Sequence, residues 1–212
     1  NSNSYADPAS PKLKNVLKAT EIQDGNGVPV SRSEFFYDDP NERGNLIETR
    51  TWDNTKAGLY PENATGNKLY TNGSVANYVS TTTAYDAYGN PTLLTDANGN
   101  QTQITYGPIN GPTATFSGLY PTQTISAFGT SVARTSTTTH DFHTGLVTTA
   151  TDVDNNVSNV TEYDALGRAT KVRATAGTTF ESWTRTEYND AARRVIVRSD
   201  VEAVGDGRKV VV

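Results

Sequence analysis

The hydrophobic and polar positions of this chain alternate over short distances and do not follow a helical period. Thr, Val, Tyr and Ile recur in runs such as YVSTTTAYD, TQITYG, SNVTEYD and RRVIVRSD, and Asn-Gly, Asp-Gly or Pro separates the runs. Alternation between turn residues is typical of β-strands joined by tight turns. No long stretch carries an apolar stripe at helical spacing. The pattern therefore predicts an all-β chain built from antiparallel hairpins.

Residues 11–24, PKLKNVLKATEIQD, form the one stretch that fits both periods. Leu13 and Leu17 suit one face of a helix, whereas Val16, Lys18 and the alternating residues after them suit a strand nearly as well. We favour a strand here.

The chain also repeats itself. Four segments align on an aromatic residue or His followed by Asp: FFYDDPNERGNL (35–46), TAYDAYGNPT (83–92), THDFHTGLVT (139–148) and TEYDALGRAT (161–170). A degenerate copy is TEYNDAARRV (186–195), and a half-copy ends at Tyr106. The spacing is 21 residues from Tyr85 to Tyr106, 23 from His140 to Tyr163 and 25 from Tyr163 to Tyr188. A period of this length holds two strands and two turns, which is one hairpin per repeat.

The segment TEYDALGRATKVRATAG (161–177) illustrates the predicted hairpin. With residues 165–167 as a three-residue loop, Tyr163 faces Ala169. Gly167 then takes the positive φ of a bulged turn, where a Cβ is unfavourable. Asp164 is placed to accept hydrogen bonds from the N–H groups of the turn. Tyr163 supplies a flat ring for stacking between neighbouring hairpins.

The other copies predict the same roles. The structural repeat positions are Tyr37, Asp38, Gly44, Tyr85, Asp86, Gly89, Asp96, Gly99, Tyr106, His140, Asp141, Gly145, Asp152, Tyr163, Asp164, Gly167 and Tyr188. Asp96 and Asp152 belong to second turns, TDANGNQT (95–102) and TDVDNNVS (151–158), which carry the chain from one hairpin to the next. Arg168 receives no role, because Asn90 replaces it in a sister copy.

Two regions organise the chain. Residues 1–33 form a lead-in segment with the first strand or strands, and residues 34–212 form the repeat array. Segments at about 54–79 and 107–122 are rich in Gly, Pro and Asn and are predicted to be loop insertions.

Composition narrows the classes of function. Hydrophobic residues make up only 34% of the 212 residues, which favours a thin sheet wetted on both sides over a filled two-layer core. The net charge of -5 argues against nucleic acid and anionic membrane as partners. The chain contains no Cys and no apolar run of membrane-spanning length, so we expect no disulfide, no thiolate metal site and no membrane segment.

The Tyr-Asp hairpins resemble the YD-repeat, or RHS-repeat, family. YDALGR (163–168) and YDAYGN (85–90) are the close matches, and the resemblance covers about residues 34–200 with interruptions. Members include bacterial RHS toxins, the C component of insecticidal toxin complexes and the animal teneurins. The resemblance implies an antiparallel sheet that spirals into a shell, which in bacterial members encloses a toxin, and it brings a proposal of carbohydrate binding. The family's self-cleavage region with paired aspartates is missing from this sequence.

Several residues also fit metal, catalytic or sugar-binding sites, and each has a structural explanation beside the functional one. His140 and His143 have the spacing of a metal pair, but on a strand they would point to opposite faces. DVDNNV (152–157) begins like a calcium loop but lacks its Gly and its final Glu. The aspartates that could pair for glycoside hydrolysis are explained by turns. Aromatic residues in the insertions could contact sugars, with Tyr60, Tyr70, Tyr78 and Tyr120 as the candidates, and Phe116 beside them.

The sequence therefore predicts a structural module that is not an enzyme and binds no cofactor. It would be part of an RHS-type shell, secreted or at the cell surface, which encloses or displays a toxin or effector in a longer parent protein. Its expected partners are further repeats of the parent, an enclosed toxin polypeptide and glycans. The alternative is a carbohydrate-binding adhesin module.

Overall fold

The structure is a computed structural model. It describes residues 2–6, 16–38, 43–53, 55, 78–199 and 208–211, with the backbone alone for 2–6 and 208–211. The chain divides into two compact units, Asn1–Thr102 and Gln103–Val212. The boundary near residue 33 stays a prediction.

The described residues form strands and turns without any helix, which confirms the all-β antiparallel hairpin array. The strands of the first unit are β1 (Ser2–Ala6), β2 (Val16–Gln23), β3 (Pro29–Tyr37), β4 (Leu46–Trp52), β5 (Tyr78–Tyr85) and β6 (Pro91–Thr95). β7 (Gln101–Thr105) spans the division. The second unit contains β8 (Ile109–Asn110), β9 (Thr115–Phe116), β10 (Gln123–Ser126), β11 (Arg134–His140), β12 (Val147–Asp152), β13 (Val157–Tyr163), β14 (Ala169–Ala174), β15 (Ser182–Asn189), β16 (Arg194–Ser199) and β17 (Arg208–Val211).

From β1 to β6 and from β10 to β17, each strand pairs with the next strand along the chain. In the first unit β1 to β6 lie in chain order, and every neighbouring pair is antiparallel. In the second unit β10 to β17 follow the same rule. β8 and β9 form a separate two-stranded sheet. This topology needs only short turns, because each strand finds its partner in the chain that follows it.

The hairpin register of the Tyr-Asp copies is confirmed. Tyr163 pairs with Ala169, and the register shifts between Glu162 and Tyr163, as a bulged turn requires. The same shift occurs immediately before Tyr37, Tyr85 and His140. The glycines predicted to close the turns have positive φ, namely Gly44, Gly89, Gly99, Gly145 and Gly167.

The sheet has almost no apolar core. Among the described residues, only three apolar side chains are buried: Ala19, Tyr78 and Ile196. Most strand positions are half-buried, on one face as on the other. The scarcity of buried apolar side chains agrees with the low hydrophobic content, and it means that polar contacts must hold neighbouring hairpins together. The sheet is not wetted on both faces throughout, because Glu21, Arg32 and Glu34 are buried as well.

One sequence interpretation is confirmed and two change in detail. The strand favoured within residues 11–24 is present as β2, which already pairs with β1 inside the lead-in. The insertion at 107–122 is not a plain loop, because it contains β8 and β9. Tyr78 was expected in the other insertion as an exposed residue, but it begins β5 and is buried. Tyr60 and Tyr70 lie outside the described residues.

Where the structure describes the chain, no helix has the length and hydropathy to span a membrane.

Glycine should be required at position 99 because of its backbone conformation alone. Gly99 has a φ of +82°, and a Cβ built on it would meet no atom within 4 Å, so Gly99→Ala tests only the left-handed conformation. We expect this change to lower the free energy of unfolding by about 1 kcal/mol, measured as a lower urea midpoint.

Gly25→Ala is the matched control in the same unit. A Cβ at Gly25 also meets nothing within 4 Å, but its φ lies outside the left-handed region. It should leave stability unchanged or raise it slightly. Equal effects of the two substitutions would contradict the assignment.

Candidate functional site

Four turns share one hydrogen-bond scheme around an aspartate: those that begin at Asp24, Asp86, Asp96 and Asp164. In each, the Asp Oδ1 atom accepts the backbone N–H groups of the residues two and four positions later, at 2.8–2.9 Å. The carboxylate thus takes the place of water on turn donors that have no strand partner. The second turn at Asp96 therefore has the same structure as the Tyr-Asp turns at Asp86 and Asp164.

The second carboxylate oxygen explains the residue that follows the turn glycine. Asn90 Nδ2 donates to Asp86 Oδ2 at 3.1 Å, and Asn100 Nδ2 donates to Asp96 Oδ2 at 2.8 Å. Arg168 Nε donates to Asp164 Oδ2 at 2.7 Å. Asn and Arg can replace each other here because both offer a side-chain N–H to the same oxygen. Arg168, left without a role by the sequence, acquires one.

The remaining turn aspartates use variants of this scheme. Asp38 accepts both the backbone N–H and the side-chain Nδ2 of Asn45, at 2.9 and 2.8 Å. Asp141 Oδ1 accepts the backbone N–H groups of His143 and Thr144, which suits its longer turn. Asp152 binds Asn155 through both carboxylate oxygens, and Asn156 takes the positive φ of 53° in that turn.

The repeating tyrosines bind the backbone of the preceding hairpin. Each hydroxyl donates to a carbonyl oxygen: Tyr37 to Leu17 at 3.0 Å, Tyr85 to Leu46 at 2.9 Å, Tyr163 to Val147 at 2.8 Å and Tyr188 to Ala169 at 3.1 Å. We call these four bonds the tyrosine links. The sequence predicted ring stacking between hairpins, and the polar link through the hydroxyl was missed. Tyr106, another predicted repeat position, is half-buried.

The acceptor of each tyrosine link has a fixed place in the repeat. We call the position of the repeating tyrosine, which His140 occupies in one copy, the slot. The acceptors Leu46, Val147 and Ala169 are the strand partners of the slot residues of the preceding hairpins, which are Tyr37, His140 and Tyr163. By the same rule the acceptor Leu17 is the partner of Tyr5, again beside a register shift. Tyr5 therefore occupies the slot of an earlier repeat that the sequence analysis missed. The signal was YAD at 5–7, in which one residue separates Tyr from Asp.

Arg168 joins two hairpins as well as closing its own turn. While Nε binds Asp164, the two terminal nitrogens bind both carboxylate oxygens of Asp190, at 2.7 and 3.1 Å. Its guanidinium lies 4.2 Å from the centre of the Tyr188 ring. Asp190 and Tyr188 belong to the next hairpin, so these contacts tie its degenerate turn to the preceding one. The two carboxylates favour the charged guanidinium and raise the pKa of Arg168 further above its ordinary value.

His140 is the exception among the slot residues. Its ring stacks on Tyr120, with 5.1 Å between centres and 23° between planes. Its Nδ1 atom is buried and finds no hydrogen-bond partner among the described residues, and burial lowers the pKa of the imidazole. Tyr120, offered by the sequence as a sugar platform, instead covers His140 and donates its hydroxyl to the carbonyl of Phe142 at 3.4 Å.

A buried charged cluster lies on one face of β2 to β5, and the sequence analysis missed it. Arg32, only 1% exposed, binds Glu34 at 2.9 Å and Glu21 at 3.3 Å. The Tyr78 hydroxyl donates to Glu34 at 3.3 Å. One strand further on, Arg50 binds Glu48 through two nitrogens at 2.7 and 3.0 Å. The signal was a pair of opposite charges two residues apart, RSE at 32–34 and ETR at 48–50, which places both on one face of a strand.

The electrostatics of this cluster favour ion pairing over proton transfer. Burial raises the pKa of the Glu34 carboxyl, and Arg32 opposes that shift. The hydrogen bonds from Arg50 lower the pKa of Glu48. Burial and the nearby Glu34 raise the pKa of Tyr78 to about 12, so its hydroxyl remains a donor. A slip of one residue would turn Arg32 and Glu34 to the opposite face, so the cluster fixes the register of these strands.

The candidate sugar and metal sites do not assemble into one place among the described residues. Tyr78 is buried, Tyr120 is stacked on His140, and Phe116 packs against Phe142 with 5.1 Å between ring centres. An open depression of about 610 Å³ lies along β11 to β13 and is lined by Thr and Ser hydroxyls, Arg134 and Asp152, without a described aromatic side chain. Within the described ranges, no group of three or more His, Asp or Glu side chains could hold a metal ion.

Comparisons with known proteins give distant structural likenesses. No family model and no curated protein matches the chain. A structure of the Photorhabdus luminescens Tc holotoxin pore with a TccC3 mutation aligns with 98% of this chain at 11% identity and a TM-score of 0.30. A TcdB2-TccC3 crystal structure aligns with 91% of it at 14% identity and the same TM-score of 0.30. The chain spans 14% and 13% of the length of those two chains. These values do not assign it to a family, and the YD-repeat resemblance stays a prediction.

A tyrosine link should contribute measurably to stability. Tyr85→Phe removes the hydroxyl that binds the Leu46 carbonyl at 2.9 Å and keeps the ring. We expect a loss of about 1 kcal/mol in the free energy of unfolding, measured by urea titration. Tyr88→Phe is the matched control, because Tyr88 is three residues away and 74% exposed. If both variants unfold at the same urea concentration as the parent chain, the link is energetically irrelevant.

The turn aspartates should make the fold sensitive to acid. Hydrogen bonds from Asn100 lower the pKa of Asp96 below its ordinary value of 3.8. A lowered pKa in the folded state adds stability above the ordinary pKa of 3.8, and that stability is lost as pH falls below it and through the lowered pKa. The measurement is the urea midpoint at neutral pH and at about pH 3. Asp96→Asn should narrow the difference between the two midpoints, and an unchanged difference would argue against this source of acid sensitivity.

Proposed function

We propose that this chain is a non-enzymatic structural β-sheet module. It forms a stretch of wall in an RHS/YD-repeat type of shell, which encloses or displays a toxin or effector polypeptide in a longer parent protein. The observation that carries the proposal is the tyrosine link, because each one bonds a hairpin to the hairpin before it.

The link supports a structural role because it depends only on neighbours. A tyrosine needs the carbonyl of the preceding hairpin, and its own hairpin supplies the next carbonyl, as Ala169 does for Tyr188. An array of this kind can be extended by adding hairpins, without redesigning a core. That property suits a wall whose area must grow around a polypeptide.

The titratable side chains support the non-enzymatic part of the proposal. The turn aspartates use their carboxylate oxygens on turn donors, as Asp86 and Asp164 illustrate. The glutamates of the buried cluster are engaged by Arg32 and Arg50. A general acid or base needs a perturbed group that faces a substrate, and these groups face their own backbone or an opposite charge.

The proposed partners follow from the sheet. β17 pairs with β16 and contains Lys209 and Val210. It is the last described strand of its unit. A strand at a sheet edge offers unpaired N–H and C=O groups to a further strand, and we propose that further repeats of the parent pair in this way. The enclosed polypeptide is the second proposed partner, and we propose a secreted or cell-surface location for the parent.

The proposal is tested on the parent protein by limited proteolysis. A polypeptide enclosed by the array should survive protease under conditions that degrade the same polypeptide expressed alone. The combined variant Tyr85→Phe, Tyr163→Phe and Tyr188→Phe, which loses three of the tyrosine links, should expose it and raise its cleavage rate several-fold.

Tyr88→Phe in the parent is the control, since its side chain is 74% exposed. Cleavage of the polypeptide at the same rate in the intact parent as when free would reject enclosure. Electron microscopy of the parent then separates display from the absence of any shell.

A further inference from the structure

Three cations lie directly opposite one another across β14, β15 and β16. The register pairs Lys171 with Arg185 and Arg185 with Arg198, so all three belong to one face of the sheet. We call these three residues the basic row. The register continues from Arg198 to Lys209 on β17. Because neighbouring strands are about 4.8 Å apart, the basic row places the Cα atoms of three cationic residues within about 10 Å.

Such an arrangement is unfavourable for the isolated sheet. Like charges directly opposite each other on paired strands are destabilising. Elsewhere in the chain the register places opposite charges opposite each other, with Glu21 beside Arg32 and Glu34 beside Arg50. The basic row differs from these pairs of the first unit, because it places like charges on paired residues.

The charges of the basic row are only partly neutralised within the chain. Arg198 forms an ion pair with Glu187. Lys171 lies 5.7 Å from the centre of the Trp183 ring and opposite Glu162 on β13. Arg185 is exposed and makes no ion pair or hydrogen bond with the described residues. A free guanidinium with two other cations beside it is a point where an anion would be stabilised.

The positive charge is local to this part of the chain. Nine of the 18 Lys and Arg residues fall within residues 168–209, although the whole chain has a net charge of -5. On the face that holds the basic row, Arg173 lies two residues from Lys171 and reaches Glu181 only at 3.9 Å. The buried Nε of Arg173 has no hydrogen-bond partner among the described residues. Arg173 therefore adds a fourth cation to the face that holds the basic row.

We propose that the face of β14 to β16 that carries the basic row docks an extended acidic segment of polypeptide. The inference deepens the proposed function and rests on it, because the enclosed or displayed polypeptide of the parent is the source of the segment. Carboxylates on alternate residues of an extended chain are about 6.6 Å apart, so two of them fit within the length of the row. Arg185, at the centre of the row, would make the principal contact, and Lys171 and Arg198 would flank it.

The charge around the row favours polypeptide over nucleic acid. Glu162, Glu181 and Glu187 lie at its margins, and they would repel the continuous phosphates of a strand that extends beyond three cations. A peptide can place two or three carboxylates on the row and neutral residues beside those glutamates. The overall acidic charge opposes long polyanions in the same way.

The test is a binding titration with the 212-residue chain. The probe is a fluorescein-labelled peptide of alternating Glu and Thr, and the control probe has Gln in place of every Glu. Fluorescence anisotropy at low salt should show binding of the acidic probe alone, weakened as salt is added. Lys171→Gln with Arg185→Gln should weaken it about tenfold. Arg134→Gln removes an exposed cation of the same unit that lies outside the row, and should leave the affinity unchanged.

Each alternative outcome overturns the inference. Equal weakening by Arg134→Gln would mean that net charge alone attracts the probe, and binding of the Gln peptide would mean that charge is irrelevant. Tighter binding of single-stranded DNA or of an acidic polysaccharide, lost in the double variant, would assign the row to another class of ligand. If no probe binds while the parent still protects its polypeptide from protease, the basic row fails and the proposed shell stands.

Discussion

A sheet with so few buried apolar side chains cannot be held together by apolar burial, and this constraint shapes the whole array. Only Ala19, Tyr78 and Ile196 are buried apolar residues among those described. The backbone ladder joins one strand to the next, but it leaves the angle between successive hairpins loosely fixed. The tyrosine links supply what is missing, because each hydroxyl donates to a carbonyl that lies beyond the residues at which the two hairpins pair, as Tyr85 does to Leu46. Each link thereby fixes its hairpin on the one before.

The turn aspartate and the tyrosine work as a unit. Asp164 organises the turn through Leu166 and Arg168, and the resulting bulge shifts the register immediately before it at Tyr163. A bulge re-aims the side chain beside it and increases the local twist. The Tyr-Asp pair therefore couples the shape of a turn to the contact between hairpins, and this coupling explains why the two residue types recur in phase.

The parts of the structure that follow local rules could be predicted from the sequence. The turns at Asp86 and Asp164 and the pairing of Tyr163 with Ala169 depend on a few consecutive residues. The buried cluster could not be predicted, because Tyr78 and Glu34 are 44 residues apart and meet only once four strands are in register. The prediction for Tyr78 was wrong for a related reason. Tyr78 is the first residue of β5 and follows an insertion, and composition alone does not show where that insertion ends.

The departure at His140 shows how the array tolerates a broken repeat. A histidine in the slot has no hydroxyl to reach the preceding hairpin, and the insertion before it supplies a substitute contact in Tyr120. Tyr120 also approaches the turn itself, since a Cβ at Gly145 would come within 2.9 Å of its ring. Gly145 is thus required both by its φ of +71° and by the space the ring occupies. An insertion that first looked like an interruption of the repeat instead replaces the link that the repeat lacks at this point.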